Sequence, residues 1–305
     1  MTEPAASDWV ITLVAPDGRA VDGDAIAAVR DAAGTNAPVR WIDPDCACDV
    51  PLVIDGHNPL TPLRARLAPI LDDARLDWAL QPSGNRIKAL LVADMDSTMI
   101  GQECINELAD FAGVGNDVAR ITEQAMRGEL DFEQALRARV AQLAGLEESV
   151  LERTLRERIS VAPGARTLLA TMRANGAFAV LVSGGFTFFA ERLADDIGFG
   201  AARANRLLIE NGHLTGRVAE PILGRDAKRD TLHEHAARLG LSVAETAAVG
   251  DGANDLAMIE AAGLGVAYRA KPVVAERADA RIEHGDLTAL LSFQGISRDR
   301  FVTAP

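Results

Sequence analysis

The feature that most constrains this chain is a set of short apolar runs, three of which break off at Asp, Ser or Gly. Ala89–Ala93, Ala177–Val182, Thr246–Val249 and Gly263–Ala267 show no alternation of polar and apolar residues. Such runs read as strands buried on both faces of a sheet. Helical patterns separate them, over Ala165–Asn175, Thr187–Ile197, Asp226–Leu239 and Asp255–Ala262. The alternation predicts an α/β fold with a doubly wound, mostly parallel, Rossmann-like sheet. Ligands in such folds bind at the carboxyl ends of the strands.

Two other regions surround this core. Residues 101–160, between the first and second runs, read as nearly all helix. Asn116 and Asp131 are expected N-caps, and Gln134 sits at capping-box spacing after Asp131. Val118, Ile121, Thr122 and Ala125 share one helical face, and Phe132, Leu136, Val140 and Leu143 another. A helical cap inserted there would cover the strand ends. Residues 1–85 read as strand, helix, two strands, helix and strand, at Trp9–Val14, Gly23–Ala33, Pro38–Ile42, Pro51–Ile54, Leu60–Arg75 and Leu76–Leu80. That order predicts a small ferredoxin-like domain. Gln81–Asn85 reads as a linker to a second domain over residues 86–305.

The chain of 305 residues carries a formal net charge of −13. Without a basic stripe, binding to nucleic acid or to an anionic membrane is not expected. Met1–Asp8 has no signal-peptide pattern and no apolar run reaches spanning length, so a cytoplasmic protein is expected. Cys46, Cys48 and Cys104 read as buried thiols, not as a disulfide framework. The five histidines, His57, His213, His233, His235 and His284, form no ligand set.

The chemistry sits at the strand ends. Asp94 and Asp96 are spaced i, i+2 directly after the first run. On extended backbone they project the same way, and two close carboxylates call for a cation such as Mg²⁺. Ser183-Gly184-Gly185 follows the second run and offers a hydroxyl and bare amides to an anion. Lys228 falls in the first turn of a helix, where amides already favour phosphate. Gly250-Asp251-Gly252-Ala253-Asn254-Asp255 follows the third run, with carboxylates that can complete a magnesium shell. Each of these alone is an ordinary turn or a solvated lysine; together they point to a site for a cation and a phosphate-like anion.

In that order, Asp94-x-Asp96-Ser97-Thr98, Ser183, Lys228 and Gly250-Asp251-Gly252-x-Asn254-Asp255 resemble the four motifs of the haloacid dehalogenase-like hydrolases. The resemblance extends toward the phosphoserine phosphatases. Glu103 stands at their spacing from Asp94, Met126–Arg139 looks like their cap signature, and Ala204–Gly216 looks like their hairpin before the lysine motif. It covers about Lys88 to Leu291; the first 85 residues show only a loose likeness to ACT-type regulatory domains. The resemblance implies hydrolysis of O-phosphoserine, the last step of serine biosynthesis, through an aspartyl-phosphate. Asp94 would be the nucleophile and Asp96 the general acid and base. Mg²⁺ would be held by Asp94, the Asp96 carbonyl and Asp251. Ser183, Gly184, Lys228 and Asn254 would hold the phosphoryl group, with Asp255 orienting Lys228 or a metal-bound water. Glu103 and Arg139 would read the substrate's ammonium and carboxylate, and Met126 and Phe132 would close the pocket.

From the residues alone, an interhelical salt bridge at Arg139 is the simpler expectation. Three other functions stay open. One is a capped phosphatase for another small phosphomonoester. The others are a phosphoacceptor signalling protein and an amino-acid-sensing protein acting through residues 1–85. The expected partner is a small molecule, with a homodimer possible.

Overall fold

The computed structural model describes residues 7–54, 60–126, 129–224 and 226–303. The first region contains β1 (Ser7–Val14), α1 (Gly23–Ala33), β2 (Arg40–Asp43), β3 (Ala47–Ile54), α2 (Leu60–Ala74) and β4 (Asp77–Pro82). Then follow β5 (Leu90–Ala93) and four helices, α3 (Cys104–Phe111), α4 (Gly115–Met126), α5 (Phe132–Ala141) and α6 (Ser149–Arg158). The chain continues through α7 (Ala165–Ala174), β6 (Phe178–Phe186), α8 (Thr187–Ile197), β7 (Ala201–Asn205), β8 (Leu207–Glu210) and β9 (His213–Val218). It ends with α9 (Ala227–Leu239), β10 (Thr246–Gly250), α10 (Leu256–Ala261), β11 (Leu264–Tyr268), α11 (Pro272–Ala275), β12 (Ala280–Ile282) and α12 (Ala289–Phe293). No helix among the described residues is long and apolar enough to cross a membrane.

The apolar runs form the centre of a ten-stranded sheet, ordered β2-β3-β1-β4-β12-β11-β10-β5-β6-β7. From β12 to β7 every neighbouring pair is parallel. Strand β5 is the switch point. The chain moves from it outward through β6 and β7, then returns to its other side for β10, β11 and β12. A crevice opens at the carboxyl end of such a strand because the flanking connections diverge there. The period of two splits β5 between two cores. Leu90 and Val92 pack with Leu232 of α9 and with Met258 and Ile259 of α10. Leu91 and Ala93 pack with Leu168 and Leu169 of α7 and with Phe189 of α8.

Helices α3 to α6 form the expected cap. Asp131 caps α5 through Gln134 N, and Gln134 Oε1 accepts in return from Asp131 N. Asn116 does not act as a cap: α4 begins one residue earlier, at Gly115, so Asn116 lies inside its first turn. The β8–β9 hairpin joins the cap, its Leu214 exchanging backbone bonds with Gly145 and Leu146. Ser183, Gly184 and Gly185, expected as a turn, continue β6 as far as Phe186. Strands β7 and β12 were not legible as apolar runs, because β7 is a half-exposed edge with Arg203 and β12 is three residues long around Arg281.

The N-terminal elements have the expected β-α-β-β-α-β order with antiparallel pairing. Gln81 and Pro82, expected in a linker, belong to β4, and Gln81 is buried. Strand β4 pairs antiparallel with β12, through Ala79↔Ala280 and Trp78↔Arg281. Polar groups bind the junction on both sides. Asp77 accepts from the amides of Glu283, His284 and Gly285 at 2.8–2.9 Å. Arg86 donates to Asp49 at 2.5 Å, to Thr12 Oγ1 at 3.0 Å and to the Phe293 carbonyl at 2.8 Å. Gln81 Nε2 donates to the same carbonyl, and Arg64 pairs with Asp279. A cut near Asn85 would strip β12 of its neighbour and leave Arg86 without Asp49 and Thr12.

Removing one partner of a buried, hydrogen-bonded charge pair costs roughly 3–5 kcal/mol, since the other charge stays buried. Arg86→Ala is therefore expected to lower the urea midpoint by an amount equivalent to about 3 kcal/mol at unchanged m-value. Arg86→Lys should recover only part of this, because one ammonium cannot replace a planar fork serving three acceptors. An Arg86→Ala midpoint equal to that of the parent would show that the junction does not contribute.

Candidate active site

The site begins where β5 ends. The Asp94 amide donates to the Val249 carbonyl at 3.0 Å, which extends the β5–β10 pairing by one residue. The amides of Thr98, Met99 and Ile100 then converge on the Met95 carbonyl. This tight turn carries Ser97 at φ 56°, in the left-handed region. Asp94 is left at the crevice mouth, 5% exposed.

Lys228, on the first turn of α9, reaches under this turn. Its Nζ lies 2.6 Å from Asp94 Oδ1 and 2.5 Å from Asp255 Oδ1. Asp255 is fully buried, and its Oδ2 accepts from the Asp251 and Gly252 amides at 3.2 and 3.0 Å. Burial alone would drive the Lys228 ammonium down; Asp255 and Asp94 together outweigh it and hold it above its ordinary value. Asp94 is pushed well up by burial and then by Asp255, against the opposing pull of Lys228. Asp251 is raised by burial, against the Thr98 hydroxyl bonded to its Oδ1 at 2.9 Å.

One carboxylate oxygen from each of Asp94, Asp251 and Asp255 lies within 4.8 Å of the other two. Three acids therefore face one ammonium, which leaves negative charge in surplus. The donors are all oxygen, so the cluster fits a hard divalent cation, which would balance the surplus charge. The Asp96 carboxylate is outside the cluster.

Asp96 is occupied elsewhere. Its Oδ1 accepts from the Cys104 amide at 2.8 Å and its Oδ2 from the Ser183 hydroxyl at 3.0 Å. Burial raises it above the usual carboxylate range despite these bonds. Ser183 Oγ in turn accepts from the Gly185 amide at 2.8 Å. A Cβ on Gly185 would lie 2.9 Å from Asp96 Oδ2, so glycine is required for the carboxylate to reach β6. Asn205 ties the neighbouring strand to this point by donating to the Gly184 carbonyl at 2.9 Å.

The cap closes a cavity of about 590 Å³ above these residues. Phe132, Arg139 and Glu103 line its cap side, and Ser183, Gly184 and Asn254 line its floor with Asp94, Asp96 and Asp251. Lys228 and Asp255 lie beneath that floor. Glu103 accepts from the Ser97 hydroxyl at 2.8 Å. Its carboxyl is pushed up to about 7 by burial and then by Asp96. Arg139 donates through Nε to the Ala135 carbonyl at 3.3 Å on its own helix. Among the described residues it has no salt bridge, so the interhelical pair expected from spacing is not formed. Its guanidinium is lowered by burial, with Glu103 and Asp96 opposing. Met126 ends α4, and its side chain lies outside the described residues, as does His57.

Four contributors were not anticipated. Thr98 orients Asp251, Ser97 orients Glu103, Cys104 holds Asp96 through its amide, and Lys271 lines the cavity. Ser97 and Thr98 sit inside the Asp-x-Asp-Ser-Thr motif, which is a usable signal. Cys104 acts through backbone, which no side-chain pattern reveals.

The haloacid dehalogenase-like hydrolase profile matches residues 91–260, more than half of the chain. A phosphoserine phosphatase of Streptomyces coelicolor is 45% identical over 245 residues, 80% of this chain and 60% of that protein. The chain thus spans about three fifths of that relative's length. A haloacid dehalogenase family hydrolase from Salmonella enterica serovar Typhi superposes with a TM-score of 0.83 at 28% identity, covering 96% of this chain and 99% of that one. A phospho-aspartyl intermediate analogue of phosphoserine phosphatase superposes at 0.63 with 40% identity, covering 68% and 98%. With the four motifs gathered at one crevice beneath a helical cap, the chain belongs to the haloacid dehalogenase-like hydrolases.

Proposed function

We propose that the chain hydrolyses O-phosphoserine to serine and phosphate through an aspartyl-phosphate. The observation that carries this reading is Arg139, half-buried at the cavity and without a salt bridge among the described residues, in a cavity that Glu103 and Asp94 also line. The cavity thus offers a cation and an anion to a substrate that brings a carboxylate and an ammonium, with a nucleophile below. The likeness to phosphoserine phosphatases on both sequence and structure supports the same substrate.

In this mechanism Asp94 attacks phosphorus and the serine oxygen leaves. Asp96, raised by burial, gives that oxygen a proton and later takes one from the water that attacks the aspartyl-phosphate. Ser183, the Gly184 backbone, Asn254 and Lys228 hold the phosphoryl oxygens. Asp255 keeps the Lys228 ammonium aimed at Asp94. Mg²⁺, bound by Asp94, Asp251 and the Asp96 carbonyl, would supply charge neutralisation at the phosphoryl group. Phe132 closes the cavity with an apolar ring, and the family resemblance assigns the same task to Met126. The resulting activity would serve serine biosynthesis in the cytoplasm. Residues 1–85 would act as an ACT-like regulatory or dimerising unit, a reading supported by their strand order and by Trp41, exposed on the edge strand β2.

Asp94→Asn is expected to abolish phosphate release while circular dichroism stays native, because the amide is a poor nucleophile. Asp96→Asn should retain little turnover, since both half-reactions move a proton through that carboxyl. Substantial phosphate release by purified Asp94→Asn would overturn the mechanism.

Arg139→Ala should reduce kcat/KM for phosphoserine by about 10²–10³-fold, within the roughly 2–5 kcal/mol typical of a lost desolvated charge partner. Phosphoethanolamine, which has no carboxylate, should lose far less. Equal losses on both substrates would reassign Arg139 to cap support.

Ionised Glu103 is needed to pair with the substrate ammonium, and its fraction grows as pH rises through about 7. The ratio of kcat/KM for phosphoserine over glycerol phosphate should therefore climb between roughly pH 6 and 8, because phosphate titration is common to both. Glu103→Gln should flatten that ratio; a ratio independent of pH in the parent would remove Glu103 from ammonium recognition.

A further inference from the structure

Lys271 is a cation at the cavity for which no role has emerged. It is solvent-exposed, lines the cavity with Asp94 and Asp251, and makes no ion pair among the described residues. Its backbone is nevertheless firmly placed. The Lys271 amide donates to the Asp251 carbonyl at 3.1 Å, and its own carbonyl accepts from the Val274 and Ala275 amides. Pro272 follows at the first position of α11, so the residue leaves the sheet in one extended conformation at φ −61°, ψ 147°. The side chain is long, free and anchored beside the cluster of acids.

The charge pattern gives that position its meaning. Asp94, Asp96, Glu103, Asp131 and Asp251 all line the cavity, and among the described residues only Arg139 and Lys271 oppose them. Lys228 lies under the floor, already paired with Asp94 and Asp255. The two cavity cations face different neighbours: Arg139 feels Glu103 and Asp96, whereas Lys271 acts on Asp251. A doubly charged phosphate entering such a cavity meets repulsion from the acids before it reaches the floor. An exposed charge beside a cleft of opposing sign changes the approach of a ligand more than its final binding geometry.

We propose that Lys271 is the phosphate-capture residue of this site, drawing the phosphate end of a phosphomonoester onto the Asp251 edge of the cavity and holding orthophosphate there before release. This rests on the phosphatase reading, but it concerns recognition of the anion and leaves the chemical step to Asp94 and Asp96.

The test uses the full chain with Mg²⁺ and three forms: the parent, Lys271→Met and Lys271→Arg. Stopped-time phosphate release measures kcat and kcat/KM for phosphoserine at low and high ionic strength. Calorimetric titration with orthophosphate measures anion binding without turnover. Lys271→Met should lose about 10-fold in kcat/KM at low salt and weaken orthophosphate similarly, with kcat held within about three-fold. Its kcat/KM should also become less sensitive to salt, and Lys271→Arg should restore both quantities. Loss of kcat alone, unchanged orthophosphate affinity, or a shifted Mg²⁺ requirement as the sole effect would each overturn the proposal. A parent without turnover whose orthophosphate affinity still depends on Lys271 charge would sink the phosphatase reading and keep the capture role.

Discussion

The structure depends most on the ammonium of Lys228, wedged between Asp94 and Asp255 with only 3% of its surface exposed. Burying a lone lysine is expensive, and two carboxylates at hydrogen-bonding distance offset that cost. The arrangement links three separate pieces of chain: the end of β5, the start of α9 and the loop after β10. Asp255 adds the Asp251 and Gly252 amides, so the loop that carries Asp251 is shaped by the same carboxylate that holds the lysine. Asp94, Lys228 and Asp251, proposed above as nucleophile, anion-binding cation and metal-binding acid, are therefore placed by one network.

A second network stands beside it. Asp96 bridges the Cys104 amide at the start of the cap and the Ser183 hydroxyl on β6. The residue assigned to proton transfer is thereby attached both to the sheet and to the element that closes over it. The two networks differ in what meets each carboxyl: Asp94 faces the Lys228 ammonium and two further acids, where a divalent cation suits the surplus charge, whereas Asp96 is held by an amide and a hydroxyl, and burial raises both. Two aspartates two positions apart in sequence thus meet different environments and can hold different protonation states.

The N-terminal region is built into the same sheet. Its β4 is the neighbour of β12, and Arg86, Asp77 and Gln81 fix the seam. Whatever this region does, a change in it reaches the α/β core through backbone pairing and buried charge. A flexible tether would carry no such strain.

Much of the site was legible in the sequence because three of its motifs are short, contiguous and placed at a strand end, with Lys228 on the first turn of a helix. Asp94, Asp96, Ser183, Lys228, Asp251 and Asp255 could be assembled from the alternation of apolar runs and helices, since strand order in a parallel sheet brings carboxyl ends together. The helical cap followed from its 3.6-residue periodicity and the Asp131 capping box. Other features belonged to tertiary structure. That Arg139 faces the cavity without a salt bridge among the described residues is a matter of where α5 lies, and spacing on its own favoured a salt bridge. The edge strand β7 and the three-residue β12 have no pattern to read, because only their neighbours make them strands. Gln81 and Pro82 have the composition of a linker, yet they pair with Val10 and Trp9 of β1 at the far end of the N-terminal region, in a contact that no local signal encodes. Local sequence determined which side chains could do chemistry; long-range packing decided which of them face one another, because burial and pairing are set by the neighbours each element meets.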